Sequence, residues 1–137
     1  MRGETFEIGY KVVCLVDGKK MSYMTDDNAL EYSEHEPTFP KIENSKLFVF
    51  DTLKNAKKFL RRESYLNNND EIIRYGFTIP QVWECRYIKS EKQLWPCWAR
   101  SREYLARYWN DEEFNVVTSH YEGSTCADSV QLLRQVL

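Results

Sequence analysis

The sequence predicts an α+β fold, a mainly antiparallel sheet with about two packed helices, on three observations. Residues 5–16 place Phe6, Ile8, Tyr10, Val12, Cys14 and Val16 on one face of an alternating segment. Asp17-Gly18 follows, a dipeptide that favours the two-residue turn of a β-hairpin. The apolar run Leu47-Phe48-Val49-Phe50 then leads straight into a segment with helical spacing. Long strands with only two helical segments fit neither a helix bundle nor a doubly wound sheet. The 137 residues suit one domain, 1–137, and not two.

The elements follow in order. After Asp17-Gly18, Lys19 to Thr25 reads as the return strand, with Met21, Tyr23 and Thr25 on one face. Residues 26–46 are polar and broken by Pro37 and Pro40, with a short strand around Leu30 to Ser33. A loop of this length is often functional. Leu47 to Phe50 reads as a buried strand and Asp51 as the N-cap of a helix, because its carboxylate can accept from the orphan amides of the first turn. Leu53, Ala56, Phe59 and Leu60 form the apolar stripe of that helix, and its Arg61-Arg62 end suits the negative terminus. Asn67 to Asp70 is a loop. Val82 to Ile88 is a strand, with Val82, Glu84, Arg86 and Ile88 on one face and Trp83, Cys85 and Tyr87 on the other. Pro96 can open a second helix through residues 98–109. Asn115 to Ser119 reads as a strand. The tail 125–136 reads as a last strand, because a Gly-Ser-Thr turn precedes it and Val130 to Val136 alternates.

Composition narrows the function classes. Nineteen basic against twenty-one acidic residues give a net charge of −2, against a dedicated DNA-coating protein. An aromatic content of 15% argues for a packed core and against disorder. No apolar run approaches the roughly 18 residues of a membrane span, so no membrane partner is expected. Met1-Arg2-Gly3-Glu4 has none of the pattern of a secretory leader, which points to the cytoplasm and to reduced, buried cysteines. Cys14, Cys85, Cys97 and Cys126 contain no pair at zinc-knuckle spacing, and His35 and His120 add none, so no metal and no cofactor is expected. Five scattered glycines form no phosphate-cradling loop.

Three groups of residues remain as candidates. Trp95, Trp98 and Trp109 fall within fifteen residues, interleaved with Arg100 and Arg102. So small a core cannot readily absorb three indoles, and Trp and Arg dominate binding hot spots. Lys57, Lys58, Arg61 and Arg62 form a basic patch on a helix that carries no acid between Thr52 and Arg62. As a solvated face it needs no partner; as a site it would meet phosphate or an acidic partner. His120, Glu122 and Cys126 are the catalytic alternative, a His-Glu pair on one strand face with a thiol downstream. Their adjacency in sequence shows no shared cleft, and no residue is assigned as catalytic.

Four segments occur in a suggestive order: Tyr10-Lys11-Val12-Val13, Lys46 to Leu53 with Ala56, Val82-Trp83-Glu84-Cys85, and Glu122 to Leu133. In that order the chain resembles a group of small hypothetical proteins encoded by phages and bacteria. The resemblance implies an accessory or phage-type origin, hence the host cytoplasm if phage-encoded, and brings with it no activity and no catalytic residue. The expected function is that of a non-catalytic binding protein with a protein partner, of the kind that could inhibit a host system. A nucleotide or other small-molecule binder is the first alternative, with nucleic acid as a further partner class. A small enzyme using His120, Glu122 or Cys126 is the second.

Overall fold

Every strand pairing among the described residues is antiparallel, and the pairings close on themselves. A computed structural model describes residues 5–22, 30–40, 47–74, 79–91 and 122–137. The elements are β1 (Glu7–Val16), β2 (Lys19–Ser22), β3 (Leu47–Phe50), α1 (Leu53–Arg62), β4 (Ile79–Lys89) and β5 (Ser124–Gln135). The sheet order is β2-β1-β3-β5-β4, and β4 returns to pair with β1. Four strands thus form a small barrel, with β2 as an added strand. The long β1–β4 ladder runs from Glu7↔Tyr87 to Leu15↔Ile79.

The β1–β2 hairpin forms at Asp17-Gly18, where both residues take positive φ of 50° and 77°, as the primed hairpin turn requires. The polar loop expected at 26–46 has a structural role in its described part. Residues 30–38 form a strap. Ser22 N donates to Leu30 O and Tyr32 N to Lys20 O, both at 2.8 Å, which covers the open edge of β2. Thr38 and Val130 exchange both backbone bonds at 2.8 and 3.0 Å, and Leu132 N donates to Ser33 O. β3 joins β1 to β5 at one end of the barrel, and β2 with the strap joins them at the other. Backbone groups paired in this way are not available for strand addition.

Two apolar clusters share the barrel wall, as alternating side chains dictate. Val13, Val49, Trp83, Cys85, Tyr87, Val130 and Leu132 fill the interior, where Tyr32 from the strap joins them. Val12, Phe50 and Val82 point the other way and pack against Ala56, Phe59 and Leu60 of α1. Phe50 and Phe59 meet with ring centroids 5.3 Å apart. A four-stranded barrel is too narrow for a ligand chamber, and this one is occupied by its own side chains.

One expectation changes. The N-cap of α1 is Thr52, not Asp51: Thr52 has extended φ/ψ of −133°/156°, and its Oγ1 accepts from Asn55 N at 3.1 Å. Asp51 instead accepts a side-chain hydrogen bond from Asn55 Nδ2 at 2.8 Å. Among the described residues there is one helix, and the second expected helix, 98–109, lies outside them, as does the strand expected at 115–119. The tail is the strand expected for it.

Candidate functional site

The basic patch forms where the sequence places it. The apolar stripe of α1 turns Ala56, Phe59 and Leu60 into the core and leaves Lys54, Lys58, Arg61 and Arg62 exposed, with Lys57 half-buried. Acids from other segments then meet three of these cations. Lys57 Nζ lies 3.1 Å from Asp70 Oδ2, and Arg61 Nη2 donates to Asp70 Oδ1. Asp70 is held there by its loop, where it takes a φ of 59° and Asn67 Oδ1 accepts from the amides of Asn69 and Glu71. The hydrogen bond from Lys57, reinforced by Arg61, holds the Asp70 carboxyl below the usual aspartate range against an opposing desolvation. Lys58 Nζ lies 2.9 Å from Glu122 Oε2. A shallow pocket of about 190 Å³ opens between Asn55, Lys58, Phe59, Arg62 and Glu122. It is smaller than ordinary ligand sites, which run to roughly 300–1,000 Å³, and one of its walls is anionic. The patch is an ion-pair network more than a bare phosphate-binding surface.

Two members of the catalytic alternative, Glu122 and Cys126, lie among the described residues. Cys126 is buried to 1% exposure and so is out of reach of a substrate. Glu122 is engaged with Lys58. His120 lies outside the described residues. The other two described cysteines are core, as their strand positions imply. Burial pushes the Cys14 thiol up to about 11 and the Cys85 thiol up to about 12, the latter in spite of the nearby Lys11 ammonium. Neither has the thiolate character of a nucleophile. His35 sits exposed on the strap, and no cluster of metal-ligating side chains occurs among the described residues.

Two arrangements escape a reading of the sequence. Lys11 is buried in the barrel wall, where its Nζ donates to Phe48 O at 2.7 Å and lies 4.9 Å from the centre of the Tyr32 ring. One ammonium therefore ties β1 to β3 and to the strap. Lysine is so rarely buried that its composition signal points outward.

The second arrangement lies on the outer wall, beyond the area that α1 covers. Ile8 faces Arg86 in the β1–β4 register, and Arg86 faces Gln131 in the β4–β5 register. Arg86 Cζ sits 4.6 Å from the centre of the Phe6 ring. Phe6, Ile8 and Leu133 are 44%, 55% and 40% exposed, large values for such side chains. Three distant strands build this surface. The only local hint is that the apolar alternation of β1 begins at Phe6, before the helix-covered stretch.

Trp95, Trp98, Arg100, Arg102 and Trp109, the expected partner site, lie outside the described residues. The chain matches no protein-family model, no curated protein and no solved structure. No helix among the described residues is long and apolar enough to cross a membrane.

Proposed function

We propose that this chain is a non-catalytic binding protein of phage or bacterial accessory type, acting in the cytoplasm on a protein partner through aromatic and arginine side chains. A partner on a host system would make it an inhibitor. The observation that carries this reading is the outer wall of the barrel, where Phe6 and Ile8 stand exposed beside Arg86 and Leu133 is exposed two residues from Gln131, the residue that faces Arg86. Exposed apolar groups clustered about an arginine are a feature of protein-binding surfaces. The filled barrel interior and the buried Cys126 support binding over small-molecule chemistry. Trp95, Trp98, Trp109, Arg100 and Arg102 are proposed as further partner-contacting residues on the strength of their residue types alone.

The test is affinity capture from bacterial lysate on the immobilised full chain, with bound protein, nucleic acid and small molecules measured together. One protein partner retained by the wild type and lost by Trp98→Ala/Arg102→Ala or by Ile8→Ser/Leu133→Ser supports the reading. Retention of a nucleotide or nucleic acid that both variants keep overturns it.

A further inference from the structure

Arg86 is held in place by neutral groups. Its Nε and Nη2 both donate to Gln131 Oε1, at 3.0 and 2.8 Å. Gln131 is itself oriented, since its Nε2 donates to Glu34 O on the strap at 3.0 Å. The Phe6 ring covers one face of the guanidinium. A chain of contacts therefore runs from the strap backbone through an amide to the arginine, and it fixes the direction of the remaining N–H donors.

No carboxylate answers that charge among the described residues. The acids nearest in the fold are already engaged or face away. Glu84 accepts from Arg134 at 3.3 Å through both carboxylate oxygens. Glu34 pairs with Lys20 at 3.6 Å. Glu7 stands opposite Tyr87, one residue out of step with Arg86, and so lies on the other face of the ladder. The surface is thus a preorganised cation with unused planar donors and exposed apolar neighbours: Phe6 and Ile8 on one side, and Leu133 two residues along β5 from Gln131 on the other.

We propose that the Arg86 surface docks an acidic, apolar segment of the partner protein, a carboxylate seated on the guanidinium between the aliphatic and aromatic side chains of that segment. The inference rests on the binding-protein reading and names the chemistry of its partner. Charge complementarity selects a carboxylate. Gln131 takes the Nε–Nη2 edge of the guanidinium, and the Nη1–Nη2 end can meet a carboxylate in two parallel hydrogen bonds. The flanking residues select a peptide over a bare anion, because phosphate or a nucleic-acid backbone gains nothing from Ile8 and Leu133. An arginine fixed before binding loses little side-chain entropy on contact.

The experiment pans a displayed library of random short peptides on the immobilised full chain, then measures the enriched peptide, made synthetically, in solution. Peptides with Asp or Glu flanked by Leu, Ile or Phe are expected, with affinity falling at least tenfold on Arg86→Gln and severalfold on Ile8→Ser. Arg86→Lys should restore only part of it. Ile8 is more than half exposed, so Ile8→Ser tests the surface even where an Arg86 substitution disturbs the fold. Failure to enrich any peptide, a consensus without an acid, or binding indifferent to both Arg86→Gln and Ile8→Ser overturns the inference. Equal competition by inorganic phosphate, or Arg86-dependent binding of an oligonucleotide in place of peptide, overturns it too. Peptides that depend on Trp98 and ignore Arg86 would remove this surface and leave the binding-protein reading standing.

Discussion

Gly123 joins the start of β5 to the start of α1, and replacing it tests how the ends of those two elements are held. Its φ is 78°, in the left-handed region. A Cβ there would come within 2.3 Å of both Asn55 Nδ2 and Asp51 Oδ1 and within 2.9 Å of Asn55 Cβ. Its carbonyl also accepts from Asp51 N at 2.9 Å. Two separate costs follow for Gly123→Ala. Left-handed backbone costs a residue with a Cβ roughly 1–2 kcal/mol. Separating Asn55 from Asp51 loses an exposed hydrogen bond, about 0.5–1.5 kcal/mol. The sum is about 1.5–3.5 kcal/mol. For a domain of this length it corresponds to a fall of roughly 10 °C in Tm, readable by circular dichroism or as a shift of the urea midpoint at constant slope. Gly123→Asn separates the two costs, since asparagine tolerates the left-handed region but still carries a Cβ. It should recover only the conformational part. A Gly123→Ala protein within about 0.5 kcal/mol of wild type, or a Gly123→Asn protein as stable as wild type, would refute the reasoning.

Thr52→Ala should destabilise the fold by about 1 kcal/mol in urea denaturation, and Asp51→Ala by less, because Thr52 caps the helix and Asp51 only braces Asn55. The folded-state pKa of Asp70 is lowered, so the stability it contributes is complete above its unfolded pKa of roughly 3.9 and is lost as the pH falls through the folded value. Wild type and Asp70→Asn should therefore differ in Tm by a constant amount near neutral pH and converge in acid. Cys14 and Cys85 should resist iodoacetamide in the folded protein at pH 8 and react once urea unfolds it, as mapped by peptide mass; labelling of either in the native state would contradict their burial.

What could be read from the sequence was local. Asp17-Gly18 sets a hairpin through its own φ preferences, and the spacing of Leu53, Ala56, Phe59 and Leu60 sets a helix, so both form where expected. The alternation in residues 82–88 sorts correctly, with Trp83, Cys85 and Tyr87 inside the barrel. The cap was displaced by one residue because Asp51 and Thr52 are both competent caps, and the extended backbone at Thr52 decides between them. Barrel closure had no local signal, since Gly9 pairs with Cys85 and Tyr10 with both Glu84 and Phe50 across long stretches of chain. Of the strap, the short strand around Leu30 to Ser33 was legible, and Glu31 bridges Met21 there, but its partners on β5 were not. Its bonds to Lys20, Val130 and Leu132 are made by backbone groups, which any non-proline sequence supplies.

The same division governs the candidate sites. The run of cations on α1 is visible as composition, but its charge is set by Asp70 and Glu122, which arrive from other loops and reduce the field that a phosphate would feel. On the outer wall the relation is reversed. Arg86 appears in sequence as one ordinary residue of a strand flanked by Glu84, an acid two positions away on the same face. In the fold that acid is taken by Arg134, and among the described residues Arg86 meets an amide and an aromatic ring. Local charge in the sequence therefore does not give the charge environment of either place. On the proposed reading, a partner is better sought where a cation keeps neutral company than where cations are most numerous.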